Sequence, residues 1–261
     1  MPEGTGVRVE QNGAVAVLTI DRPDARNAIA RATMRELDQA LDAVAASDAR
    51  VLVITGAGDR VFVAGGDLKE LAAIRTEAEA VQMAATMRSV LDRIATLPIP
   101  VLAAVNGDAY GGGAEVAVAC DMRIAADDVK CGFNQVALGI MPAWGGIERL
   151  GDLVGRGRAL LLMTTGRVMS AADARELGLF DEVVPRGKFQ QHWRDVAAQI
   201  ARAPHGALVG IKAAHRAAHP SARPDLADAA IASFARTWVA DDHWRMVEEA
   251  DARRRAARHN P

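Results

Sequence analysis

The run Gly111-Gly112-Gly113-Ala114-Glu115 brings together two groups that one reaction can use. It comes soon after the apolar run Val101 to Val105, which reads as a buried strand, and it opens a helical pattern. Only glycine lets a backbone come this close to a ligand, and the first amides of a helix have no intrahelical acceptor. A bare N–H for a developing oxyanion and a carboxylate able to move a proton therefore fall within four residues. Glycine turns also recur for packing alone, so a second segment matters. Val51-Leu52-Val53-Ile54-Thr55-Gly56 reads as another buried strand, and Val61-Phe62-Val63-Ala64-Gly65-Gly66-Asp67-Leu68-Lys69 follows it. Here too, small residues precede a helical pattern with an acidic residue near its start. Two strand-then-glycine-turn units, each presenting one backbone N–H, make a two-donor oxyanion site; otherwise they are two ordinary connections of an α/β protein.

The elements that must position these groups are legible as a rhythm. Residues 7–11 and 14–21 alternate as two strands, with Asn12-Gly13 between them as a hairpin turn. Residues 30–46 carry helical spacing in Met34, Leu37, Leu41 and Val44. Residues 76–97 read as a long helix ended by Pro98 and Pro100, and residues 122–126 as a third buried strand. Strands separated by helices point to crossover connections and largely parallel pairing, hence an α/β fold. Past Ala143 helices dominate, apart from a strand near residues 180–184. Residues 190–257 read as almost continuous helix broken at His219-Pro220. The expected division is a core over residues 1–189 and a helical region over residues 190–261.

Composition narrows the function. Of 261 residues, half are hydrophobic and a quarter charged, as in an ordinary globular enzyme. A net charge of −2 gives no support for nucleic-acid or membrane-surface binding. No apolar run approaches the roughly 20 residues of a membrane span. Residues 1–10 lack a basic segment followed by an apolar one, so a cytoplasmic location with Cys120 and Cys131 reduced is expected. Neither cysteine joins a metal-ligand pattern. The six histidines show no ligand spacing and are expected at the surface. Asp67 reads as a helix cap before a catalyst.

In these motifs the chain resembles the crotonase superfamily, the enoyl-CoA hydratase/isomerase family. The matching segments are Asp21-Arg22-Pro23 with Asn27-Ala28, Ala64-Gly65-Gly66-Asp67-Leu68-Lys69, Asn106-Gly107 with Gly111-Gly112-Gly113-Ala114-Glu115, and Gly139-Ile140-Met141-Pro142 with Gly145-Gly146. The resemblance implies a spiral of ββα units with a helical C-terminal region that drives trimer formation, often as a dimer of trimers. It implies an acyl group carried as a coenzyme A thioester, with no cofactor beyond that substrate. Matched by position, the oxyanion-hole amides fall at Gly66 and Gly112 and one catalytic glutamate at Glu115. Ala25, Arg26 and Ala28, with Ala64, Gly65, Gly66, Asp67 and Leu68, then line the CoA channel. Lys69 either meets a CoA phosphate or stays in water. Tyr110 either reaches the acyl pocket or fills the core.

The chain departs from the family pattern at one place. Hydratases of the family use two glutamates, and the second position, aligned back from Gly139 and Pro142, holds Gln135. An amide orients a water or a carbonyl but is neither acid nor base near neutral pH. Glu115 alone then serves as base and afterwards as acid. Trp144 in Pro142-Ala143-Trp144-Gly145-Gly146 is similar to the corresponding residue of some decarboxylases of malonyl-type CoA thioesters. The expectation is a hydratase-type lyase with Glu115 as acid/base. The alternatives are such a decarboxylase, or a CoA-thioester binding protein without turnover. The apolar positions Ile231, Phe234, Trp238, Val239 and Met246 are expected to serve subunit association in a trimer or hexamer.

Overall fold

The structure is a computed structural model that describes residues 6–219 and 224–259. The strands β1 (Val7–Asn12) and β2 (Val15–Ile20) pair antiparallel with Asn12 opposite Val15. The two-residue turn is therefore Gly13-Ala14, one residue later than the Asn-Gly signal suggests. Gly13 takes φ +57° at the first central position, where a II′ hairpin turn needs glycine. Next comes α1 (Arg31–Ala45), which buries Met34, Leu37, Leu41 and Val44 on one face.

A ββα unit then repeats. The first copy is β3 (Val51–Gly56), β4 (Val61–Val63), α2 (Leu68–Leu71) and α3 (Glu77–Thr96). The second is β5 (Val101–Val105), β6 (Asp108–Tyr110) and α4 (Gly112–Ala119). The third is β7 (Met122–Ala126), β8 (Lys130–Gly132), a 3-10 turn at Gln135–Leu138, α5 (Gly146–Val154) and α6 (Arg156–Thr165). A last partial unit holds β9 (Met169–Ser170), α7 (Ala171–Glu176) and β10 (Glu182–Val184). The first strands build one sheet in the order β1-β2-β3-β5-β7-β10, parallel from β2 onward. The second strands build another in the order β4-β6-β8-β9. This alternation between two sheets is the crotonase spiral.

The apolar runs of β3 and β5 are fully or almost fully buried, as strands covered on both faces require. The turn before α3 is fixed by a capping box between Thr76 and Glu79. Asn27 explains one of the sequence motifs. It is buried at φ +53°, accepts from the Arg22 N–H at 3.0 Å, and donates to the carbonyls of Ala57 and Val61 at 3.0 and 2.7 Å. It thereby pins the 22–28 loop to the start of β4.

Among the described residues four helices follow: α8 (Arg186–Ala201), α9 (His205–Ala218), α10 (Pro224–Val239) and α11 (Asp241–His259). The helical tail is thus broken at residues 202–204 and at Ala240 as well as near His219; Pro220 lies outside the described residues. The expected boundary between residues 189 and 190 falls inside α8. Phe189, Trp193 and Ala197 of that helix are buried in the same core as β2, β3 and β7. A second correction concerns α10. Its Ile231, Phe234 and Trp238 are buried within the chain, where α10 packs on α3, and the Trp238 indole donates to the Ile74 carbonyl at 3.2 Å. These three side chains are spent on the chain's own core and are not free for subunit contact.

Candidate active site

The two glycine turns meet on the wall of one cavity of about 340 Å³. Gly111 takes φ +54° and ψ −117°, a conformation that excludes a side chain, and so turns β6 into α4. The first turn, at Ala64 to Gly66, lies beside it: a β-carbon at Gly65 would stand 3.3 Å from the Gly112 nitrogen. Among the described residues, neither the Gly66 N–H nor the Gly112 N–H donates to a protein acceptor. Two adjacent amides thus face the cavity with their donors unused.

Glu115 lies one helical turn into α4 and is 2 % exposed. Its Oε1 accepts from the N–H groups of Trp144 and Gly146 at 2.8 and 2.9 Å. Its Oε2 accepts from Gln135 Nε2 at 3.0 Å. Burial pushes the carboxyl up to about 7, against the two backbone N–H bonds, the Arg149 guanidinium and the Gln135 amide, all of which favour the charged form. The group is therefore poised to take or give a proton near neutral pH. Arg149, itself buried, donates to the Trp144 carbonyl at 2.9 Å and pairs with Asp92.

The indole of Trp144 lies against both turns. A β-carbon at Gly112 would stand 2.1 Å from its Cζ3, and one at Gly66 3.7 Å from its Cη2. Tyr110 also lines the cavity. Its hydroxyl donates to Asp108 at 2.8 Å, and burial with that carboxylate pushes it up to about 12. Asp108 also accepts from the Lys130 N–H at 2.9 Å.

Of the residues expected at the site, the cavity wall contains Arg26, Ala64, Gly65, Gly66, Leu68, Tyr110, Gly112, Glu115, Gln135 and Trp144. Ala25, Ala28, Asp67 and Lys69 are not on that wall. Asp67 caps α2 by accepting from the Glu70 N–H and pairs with Arg22 at 2.9 Å. Lys69 is exposed and Ala28 buried. A channel reaching all of these residues would extend beyond the cavity.

The sequence profile of the enoyl-CoA hydratase/isomerase family matches residues 10–251. The chain belongs to that family. It is 37 % identical over 232 residues to a short-chain-enoyl-CoA hydratase of Clostridium acetobutylicum, covering 88 % of this chain and 87 % of the relative. It is 40 % identical over 193 residues to a crotonyl-CoA hydratase of Syntrophomonas wolfei, covering 74 % of each. Among solved structures, an enoyl-CoA hydratase from Bacillus anthracis superposes with a TM-score of 0.78 at 31 % identity, over 95 % of this chain and 96 % of that one. A carnitinyl-CoA hydratase from Mycobacterium avium gives 0.82 at 31 %, over 96 % and 97 %.

This family member also holds residues at its site that the motifs did not announce. Phe234 and Trp238 of α10, with Met83 of α3, close the far wall of the cavity. Their i, i+4 spacing was visible in the sequence, but the pattern does not say which surface a helix covers. His243 is a further correction. Expected at the surface, it is 0 % exposed, stacks on Trp238, and bonds through Nδ1 to the Leu138 carbonyl at 2.6 Å. It braces the turn that carries Gln135. Among the described residues no cluster of three or more His, Cys, Asp or Glu is placed to hold a metal ion, and no helix is long and apolar enough to cross a membrane.

Proposed function

We propose that this chain adds water to, or removes it from, a short enoyl-CoA thioester by a stepwise route with one carboxylate. In the elimination direction the thioester carbonyl accepts from the Gly66 and Gly112 N–H groups. Glu115 takes the C2 proton, and the electron pair moves onto the carbonyl oxygen as an enolate. The two amides stabilise that charge by about 3–4 kcal/mol each, on the scale of a single oxyanion donor. The enolate then re-forms its carbonyl, expels the C3 oxygen and leaves a C2=C3 bond. Glu115 returns its proton to the departing hydroxide, so water leaves and the enzyme is restored. Hydration is the same path reversed.

The observation that carries the reading is the placement of Glu115, buried and raised to about 7, in the same cavity as two acceptor-free amides. A carboxyl near neutrality serves as base and acid in one cycle. The malonyl-type decarboxylase reading finds less support. A substrate carboxylate at this depth would meet Glu115 and the bare carbonyl of Gln135. Among the described residues that line the cavity the cation is Arg26, which is exposed. A carboxyl raised toward neutrality inside the cavity favours turnover over binding alone. Assembly into a trimer or hexamer and a cytoplasmic setting belong to the same reading. Leu160 and Leu161 of α6 stand 61 % and 55 % exposed, and both cysteines are free and buried.

Turnover of crotonyl-CoA and of methylmalonyl-CoA, set beside a butyryl-CoA binding titration, tests the proposal. Hydration of crotonyl-CoA is expected. Carbon dioxide release from methylmalonyl-CoA alone, or binding with no turnover of either, would overturn it.

A further inference from the structure

The two oxygens of Glu115 sit in different surroundings. Oε1 accepts two backbone N–H bonds, from Trp144 and Gly146, whereas Oε2 meets only the Gln135 amide. A carboxylic proton on Oε1 would point into two N–H donors, so the protonated acid carries its proton on Oε2. The amide Nε2 of Gln135 cannot stay opposite that proton, because both groups would then be donors. Gln135 has an answer within its own side chain. Its Oε1 is buried without a partner, and the residue, 7 % exposed, forms part of the cavity wall. A half-turn of the amide gives the Glu115 proton an acceptor and moves the N–H₂ group to where the bare carbonyl stood.

We infer that Gln135 reads the proton on Glu115 and reverses the polarity of the cavity wall: carbonyl oxygen toward the ligand when Glu115 is ionised, N–H₂ when it is protonated. The ligand group suited to this wall is one that donates in the first state and accepts in the second. A hydroxyl on the acyl chain fits, as does water. Resting on the proposed function, this group is the C3 oxygen. It donates to the Gln135 carbonyl while Glu115 is the base. It accepts from the turned amide as it leaves with the electron pair of the C–O bond, while Glu115 holds the proton it will return. Gln135 is thus a positioning residue, and it gives one carboxylate the two polarities that a pair of glutamates would supply.

The charges around Glu115 leave its proton as the variable. Arg149 of α5 is the charged group whose field reaches it. Arg88 and Asp92 of α3 pair with each other, and with Glu148 and Arg149 of α5. Asp108 of β6 is bound to Tyr110, and Arg123 of β7 to Asp181.

The test uses two probes of equal size, 3-methoxypropionyl-CoA and pentanoyl-CoA, which differ in an ether oxygen for a methylene at the C3 substituent. That oxygen accepts but cannot donate. In the wild-type chain, isothermal titration should show the ether gaining about tenfold over the alkyl probe between pH 8.5 and pH 5.5, the worth of one hydrogen bond. In Glu115→Gln the new amide must turn its N–H₂ toward Gln135, because its oxygen is needed by Trp144 and Gly146. The low-pH preference should then hold at both pH values. In Gln135→Met the preference should not change with pH. A pH-independent ratio in the wild type overturns the inference, as does a pH-dependent ratio that survives in Gln135→Met. Neither probe is an enoyl or hydroxyacyl thioester. A chain that hydrates nothing can still pass this test, and a working hydratase can fail it.

Discussion

Arg149 donates to the carbonyl of Trp144 at 2.9 Å, and the N–H of that same Trp144 donates to Glu115 at 2.8 Å. The tryptophan backbone thus joins the Glu115 carboxyl to the ion cluster of Arg88, Glu148, Arg149 and the half-exposed Asp92. The cluster fixes the 144–146 loop, and the loop fixes the direction of Glu115 Oε1.

Arg149→Met should loosen that loop and remove a charge that favours the ionised carboxyl. Asp92 is 45 % exposed and keeps Arg88 as a partner, so losing this pair should cost only about 1 kcal/mol. The limb of the pH–rate profile that reports ionised Glu115 should move upward from about 7, and urea denaturation should show the stability loss. An unmoved limb in a folded variant would detach Arg149 from the site.

Glu115 also makes stability depend on pH. Its carboxyl is raised in the folded chain from 4.5 to about 7, so the folded state holds the proton more tightly than the unfolded one. The folded state is then favoured below 4.5, loses stability as pH rises from 4.5 to about 7, and stays level above. The loss amounts to roughly 3 kcal/mol. Glu115→Gln keeps an oxygen for the Trp144 and Gly146 N–H groups and should abolish this dependence. Denaturation midpoints at pH 5 and pH 8 should differ less for the variant than for the wild type. Hydration by the variant should fall about 10²–10⁴-fold.

Most of what positions the site could be read from the chain. Val51 to Gly56, Val101 to Val105 and, apart from Arg123, Met122 to Ala126 are mostly apolar runs bounded by turn residues, and each is a strand of the main sheet. The second sheet was missed, because β4, β6 and β8 are only three residues long and too short to show a period of two. The glycine turns and Glu115 were legible because glycine and a lone carboxylate in apolar surroundings are rare and chemically loaded. The far wall was not. Phe234 and His243 carry ordinary helical spacing, and only tertiary packing decides that one lines the cavity and the other braces the Gln135 turn.

Gln135→Glu tests the substituted position. Nε2 of Gln135 lies 3.0 Å from Glu115 Oε2, so two carboxyls there must share a proton, and one of the pair should titrate well above its partner. Hydration of crotonyl-CoA should rise, most clearly at pH values where the pair holds a single proton. The pH–rate profile should gain a second limb. A folded variant with no gain on any enoyl-CoA would show that this is not the place of the absent glutamate.

The last prediction concerns Gly112 and Trp144. A side chain at 112 would point at the Trp144 indole, whose Cζ3 would lie 2.1 Å from the new β-carbon. Gly112→Ala must therefore push Trp144 away from the two amides. Overpacking of this kind costs about 1–3 kcal/mol, and a displaced oxyanion donor costs about 10²-fold in rate. Trp144→Leu removes the obstacle yet keeps the backbone N–H that holds Glu115. In the Gly112→Ala background it should restore part of the lost stability, with a coupling above about 1 kcal/mol in a double-mutant cycle. Rate should recover with stability if the indole was the cause. Strictly additive losses would mean that the ring is not what a residue at 112 encounters. The rate defect would then belong to the Gly112 amide itself.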